Sequence, residues 1–279
     1  KACHEIFDPM MYESTLERLH METDLRRAVE HREFRMHYQP IMDLKADRIV
    51  GFEALIRWHH PKRGIIHPME FIPLAEETGL IFPIGEWVLR ESCNQVFAWQ
   101  RQYPMDPPLT LSVNISGKQL SQADLVAKVS EILHETGLEA GCLALEITES
   151  MIMKDPDSAT AMMVQLRDLG IHIHIDDFGT GYSSLSYIHR FPVNALKIDR
   201  SFVQKMFANN ENMEIIKTII SLAQNLGLDL IVEGLELSEQ LAQIKKLKCS
   251  YGQGFLFSEP MDVAAIDNLI ASGKPFFGS

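Results

Sequence analysis

The chain contains acids, amides and one lysine at positions that read as strand ends: Glu53, Asn114, Glu146, Asp176, Lys197, Glu233 and Gln253, with Asp177 directly after Asp176. Each ends a short run of β-type residues, on the face away from the bulky apolar side chains. In Leu109–Asn114, period two puts Leu109, Leu111 and Val113 on one face and Thr110, Ser112 and Asn114 on the other. In Asn194–Ile198, Leu196 and Ile198 oppose Ala195 and Lys197. Carboxylates gathered at one mouth cannot all stay ionised without compensation. Hard divalent cations with oxygen ligands, Mg²⁺ or Mn²⁺, would supply it. Two such ions would activate water and stabilise in-line displacement at phosphorus. The lysine would orient that water or offset charge on the phosphate. The class is metal-assisted phosphoester hydrolysis, with the substrate open. A competing enzyme class makes Lys197 a Schiff-base lysine in an aldolase-type barrel, which leaves the crowded acids without a purpose.

These groups need a scaffold that aligns strand ends. The segments Arg35–Ile41 and Ile49–Trp58 read as an antiparallel hairpin around a turn at Asp43–Asp47. Further strands are expected at Leu109–Asn114, Cys142–Ile147, Ile171–Asp176, Asn194–Ile198, Leu228–Glu233 and Ser250–Phe255. Helical stretches separate them: Ile84–Gln102, Ser121–Thr136, Asp157–Leu169, Tyr182–His189, Glu211–Leu226 and Leu237–Leu247. Alternation at this spacing argues for parallel strands with right-handed crossovers, and eight strands favour a closed barrel over a doubly wound open sheet. An opening helical stripe of Leu16, Leu19, Leu25 and Val29 precedes them.

Bulk composition narrows the partners. Acidic residues outnumber basic ones, 38 to 26, for a net charge of −12 over 279 residues, against binding to a nucleic-acid polymer, which needs clustered cations. Cys3, Cys93, Cys142 and Cys249 form no C-x-x-C pair, so neither a disulfide framework nor a zinc site is expected, and a reducing cytoplasm is. No apolar run approaches the roughly 18 residues of a membrane span, although segments outside this sequence could tether a longer protein.

The motifs in order are Tyr38-Gln39-Pro40-Ile41, Glu53-Ala54-Leu55-Ile56-Arg57, Asn114-Ile115-Ser116 and Glu146-Ile147-Thr148-Glu149. Asp176-Asp177-Phe178-Gly179-Thr180-Gly181-Tyr182-Ser183-Ser184, Lys197-Ile198-Asp199, Glu233-Gly234-Leu235-Glu236 and Gln253-Gly254-Phe255 follow. Over roughly Leu25 to Pro260 the chain resembles the EAL family of cyclic di-GMP phosphodiesterases. One E-A-L triplet means little; the linked set is specific. Leu235, Leu237 and Ser250 depart from the family's habit without touching a proposed ligand.

The resemblance implies an α/β fold, a TIM-like (β/α)8 barrel whose first strand is antiparallel. It implies hydrolysis of cyclic di-GMP to linear pGpG with two Mg²⁺ or Mn²⁺ ions, Ca²⁺ being inhibitory. Glu53, Asn114, Glu146 and Asp176 would hold one ion, and Asp176, Asp177 and Glu233 the other. Lys197 would contact the nucleophilic water, Glu233 is the candidate general base, and Glu53 is an essential acid. Arg57 would grip a phosphate, with Leu55, Gln39 and Gln253 bordering substrate or the metal water. Glu149, with Glu236, would anchor the loop from Asp177 to Ser184, which in the family links metal binding to homodimer contacts around Asp177–His189. Residues 1–22 resemble a connector from an upstream regulatory or GGDEF domain, and the EAL domain would occupy 23–279.

Single residues also have plain readings. A lone strand-end acid is more often a cap or a surface ion pair. His172 and His174, below Asp176 on the same face, are expected to fill inner barrel layers, and His59-His60 to sit in a loop after the second strand.

Overall fold

A computed structural model of the protein describes residues 9–181, 188–208 and 210–272, with side chains from residue 17 onward. Strands and helices alternate as the hydrophobic periods require. The strands are β1 (Phe34–Asp43), β2 (Arg48–His60), β3 (Gly64–Ile66), β4 (Thr110–Asn114), β5 (Leu143–Thr148), β6 (His172–Phe178), β7 (Ala195–Ile198), β8 (Asp229–Val232) and β9 (Tyr251–Gly252). They hydrogen-bond in the order β1-β9-β8-β7-β6-β5-β4-β2-β3, and β1 also pairs with β2. That pairing closes eight strands into a barrel and leaves β3 as a spur on β2. β1 runs antiparallel to β9, while the pairs from β2–β4 round to β8–β9 are parallel. The open doubly wound sheet is therefore excluded.

The chain divides into two compact units, Lys1–Arg35 with Ile56–Ile84, and Met36–Leu55 with Gly85–Ser279. In the first, Trp58 is fully buried against Phe34 and Phe71, at 6.1 and 5.8 Å between ring centroids. Its indole N–H donates to Glu33 Oε2 at 2.9 Å. His59 and His60 are the last residues of β2, paired with β3, and not a loop. His60 Nδ1 accepts from the backbone N–H groups of Lys62 and Arg63, so Nε2 carries the proton toward Asp24 Oδ2, 3.1 Å away. One helix runs unbroken over Pro9–His31; Leu25 is buried on its stripe, but Leu19 is 54% exposed. The helix Pro68–Thr78 was not expected, although Pro68 in its first turn and left-handed Gly79 at its end mark it.

In the second unit, Tyr38 and Phe52 turn outward onto Trp99 of the helix Ile81–Gln102, at 4.8 and 5.0 Å. Large apolar side chains thus leave the barrel interior to smaller ones. The helices Leu125–Thr136, Pro156–Asp168, Asn210–Leu226 and Ser238–Lys246 follow the expected order. The helix expected at Tyr182–His189 lies mostly outside the described residues. Cys93, Cys142 and Cys249 are buried and unpaired, and among the described residues no helix is long and apolar enough to cross a membrane.

β8 and β9 are shorter than the hydrophobic runs suggest, because the strands fray into the loops that carry the site. The ladder still reaches the two functional residues beyond them: Glu233 N–H donates to Ile198 O at 3.1 Å and Gln253 N–H to Val232 O at 2.8 Å.

At Gly51 the backbone of β2 meets β4 closely. A Cβ there would lie 2.1 Å from Thr110 Oγ1 and 2.5 Å from its carbonyl oxygen. The Gly51→Ala variant is expected to lose about 1–3 kcal/mol of stability through overpacking, read as a lower urea midpoint at unchanged slope. A midpoint equal to the parent's would show that β2 and β4 can separate freely.

Candidate metal centre

Barrel register sets the rim. Asn114 lies opposite Glu146 across β4–β5, and Glu53 opposite Ser112 across β2–β4. Lys197 stands inside on β7, completely buried. Its ammonium group contacts four carboxylates: Glu146 Oε2 at 2.6 Å, Glu233 Oε1 at 2.7 Å, Asp176 Oδ1 at 3.4 Å and Glu53 Oε2 at 3.5 Å. Burial alone would lower the lysine's pKa, but Asp176, Glu146, Glu233 and Glu53 more than offset it and hold the value well above ordinary. A Schiff-base lysine needs an uncharged amine, so this geometry opposes the aldolase reading.

One ammonium cannot balance four acids, and the acids respond unequally. Burial pushes Glu146 up to about 8; Lys197 pulls it down, while Glu53 and Asp176 add to the rise. Burial likewise raises Glu233 well above the carboxyl range, with Lys197 opposing and Asp176 and Glu53 assisting. Glu53 also suffers burial, yet its value is lowered by Lys197 and by amide hydrogen bonds. The difference lies in the donors. Asn114 Nδ2 donates to Glu53 Oε1 and Gln253 Nε2 to Oε2, both at 2.7 Å.

Gln253 Nε2 also reaches Gln39 Oε1 at 2.8 Å, and Gln39 Nε2 donates to Ser258 O at 3.0 Å. Both glutamines, expected at the substrate border, are buried at 3% and 8% exposure, and they form a clamp behind Glu53. The resemblance sets both beside substrate, and the strand-end pattern marks Gln253 alone; neither shows which partner they serve.

Asp176 and Asp177 break strand alternation. β6 spends three residues, Ile175 to Phe178, where β7 spends two, Leu196 to Ile198. Such a bulge re-aims side chains. Asp177 takes a left-handed backbone, φ 53°, which a short polar residue tolerates better than most. Oxygens of Asp176, Asp177 and Glu233 consequently lie within 4.8 Å of one another. Burial raises Asp177 to about 6, with Asp176 and Asp199 adding and Lys197 and Arg200 opposing. A deficit of positive charge, three clustered carboxylates and a Glu146 Oε1 without a hydrogen-bond partner among the described residues suit hard divalent cations.

Glu149 lies against the following loop, accepting the Gly179 N–H at 3.0 Å. A Cβ at Gly181 would come within 2.8 Å of Glu149 Oε1, so the loop approaches only as glycine. Glu236, expected to share that task, is exposed in the segment after β8, and among the described residues its carboxylate accepts from Gln204 at 3.2 Å. The dimer segment expected at Asp177–His189 includes residues 182–187, outside the described set. Leu55 is half-buried on β2 beyond Glu53, and Arg57 falls in the other unit, where Nη1 donates to Ile56 O at 2.9 Å.

His172 and His174 are inward on β6, as expected, but the layer is not filled. Both border a cavity of about 490 Å³ at the lower end of the barrel, with Ser112, Ala144, Ala195 and Tyr251. Burial, then the charge of Lys197, lowers His174 to about 4, which leaves it uncharged.

A family model described as the EAL domain matches residues 22–260. The bifunctional diguanylate cyclase/cyclic di-GMP phosphodiesterase MucR of Pseudomonas aeruginosa is 41% identical over 266 residues, covering 95% of this chain and 38% of that protein. The cyclic di-GMP phosphodiesterase NbdA of the same organism is 39% identical over 274 residues, covering 97% and 35%. The solved PaMucR phosphodiesterase in complex with c-di-GMP superposes with a TM-score of 0.85 at 41% identity, over 88% of this chain and 99% of that one. The chain spans about a third of the length of these curated relatives.

The raised carboxyl values fix a sign. Glu146 and Asp177 bind a proton more tightly when folded, so their stabilising contribution is complete below their ordinary values of 4.5 and 3.8 and is lost as pH rises to about 8 and about 6. In chelator, the melting midpoint should therefore fall from about pH 5 to about pH 8, and Glu146→Gln should flatten the decline. A midpoint that climbs through this window would contradict the charge assignment.

Proposed function

Because this chain belongs to the EAL domain family, we propose that it is a metal-dependent phosphodiesterase that opens cyclic di-GMP to linear pGpG. The observation that carries the reading is the convergence of Glu53, Glu146, Asp176 and Glu233 on one buried lysine. A mouth so short of positive charge suits cations and, through them, a phosphodiester. The activities named for MucR and NbdA supply the substrate.

Glu53, Asn114, Glu146 and Asp176 would hold one Mg²⁺ or Mn²⁺, and Asp176, Asp177 and Glu233 a second. Bound there, the ions would supply a water acidic enough to ionise near neutrality and positive charge against the phosphate. The protein's own groups do the remaining work. Glu233 takes the proton from the attacking water. Lys197, held by Glu146 and Glu233, turns its third N–H, which reaches Glu53 Oε2 at 3.5 Å, toward the water or the phosphoryl oxygen. Gln253, Asn114 and Gln39 keep Glu53 fixed while charge shifts. A bond forms between phosphorus and the water oxygen, the bond to one ribose 3′-oxygen breaks, and that oxygen takes up the proton. Residues 1–22 serve as a connector to an upstream regulatory or GGDEF domain, a role supported by the greater length of MucR and NbdA.

Product analysis of cyclic di-GMP incubated with purified protein tests the reading. With Mn²⁺ the product should be pGpG; chelator should abolish it, and Glu53→Ala or Glu233→Gln should slow it by about 10²–10⁴. Dinucleotide binding with no turnover in excess Mn²⁺ would make the chain a receptor instead.

A further inference from the structure

Glu146 and His174 are lateral neighbours across β5 and β6. The two oxygens of Glu146 have different fates: Oε2 takes the Lys197 ammonium at 2.6 Å, while Oε1 has no hydrogen-bond partner among the described residues. His174 Nδ1 lies 3.8 Å from Oε1 and likewise has no hydrogen-bond partner among the described residues. The Glu146 side chain is fully buried and that of His174 is 12% exposed. Two unsatisfied polar atoms facing each other in a buried site are costly. The 3.8 Å separation is longer than a hydrogen bond. A modest rotation about the ring's broad χ2 well shortens it. The amides of Asn114 and Gln253 are already engaged with Glu53.

We propose that His174 is a positioning residue: its Nδ1–H donates to Glu146 Oε1 and fixes the direction in which that carboxylate presents its lone pairs to a cation. This rests on the metal-dependent reading above. Carboxylate ligands are commonly oriented by such outer partners, whose loss costs 10–100-fold in metal affinity. Neither composition nor the strand pattern marks the role, since a histidine below the rim looks like filler until its neighbour's free oxygen is seen. The ring also borders the lower cavity, so smaller side chains fit there without collapse of a packed core.

Three substitutions separate positioning from bulk. Asparagine places an amide N–H near the site of Nδ1, glutamine near that of Nε2, and alanine supplies none. Calorimetric titration with Mn²⁺ alone should show affinity about tenfold weaker in His174→Ala and His174→Gln, with His174→Asn close to the parent. In a Glu146→Gln background, His174→Ala should bring no further loss. The ¹⁵N spectrum of the metal-free parent should show the ring protonated at Nδ1. Equal Mn²⁺ affinity in all three variants, or a ring protonated at Nε2, would overturn the role. A parent that binds no Mn²⁺ would overturn the metal reading instead, leaving the ring's tautomer to decide the His174–Glu146 contact.

Discussion

One interaction governs this molecule: a single lysine, sealed from water, facing four acids. Taking any of these charges out of solvent is expensive, and removing one member of such a cluster leaves the others uncompensated. The barrel meets this constraint by drawing the acids from separate strands, so that none of them can leave without disturbing a ladder. Lys197 comes from β7, Glu146 from β5, Asp176 from β6 and Glu53 from β2. The ammonium supplies one positive charge. The remaining imbalance suits the mouth to cations, and it ties stability to acidity.

The supporting residues distribute that imbalance. Glu53 stays ionised because two amides and the lysine share its oxygens. Glu146, whose carboxylate among the described residues is within hydrogen-bond distance of the lysine alone, has a raised proton affinity. The contrast shows what a buried glutamine such as Gln253 contributes: with the Lys197 charge, its N–H lowers the proton affinity of Glu53.

Much of this could be read from the amino acids alone. Strand alternation placed Asn114, Lys197 and Glu146 inward because a period of two is stiff. The hairpin at Asp43–Asp47 foretold the antiparallel first strand. The features that escaped depend on long-range partners. The bulge at Asp176-Asp177 appears only when β6 is set beside β7. The clamp of Gln39 on Gln253 spans 214 residues of sequence, and no local pattern encodes such a distance. His60 was misplaced because its strand outlasts its hydrophobic run, its end being held by β3. The expected anchoring by Glu236 concerns a loop whose residues 182–184 lie outside the described set; among the described residues Glu236 meets Gln204.

The two halves of the rim are built with unequal stiffness. Glu53, Asn114 and Glu146 stand within paired strands, whereas Asp177 rides a left-handed residue on a bulge and Glu233 lies just past the end of β8. Rigid oxygen cages discriminate among ions by radius, while yielding ones accept several sizes. Size selectivity would then reside on the Glu53 side. The Asp177 side would adapt to its occupant, exchange it faster and fill last as divalent concentration rises.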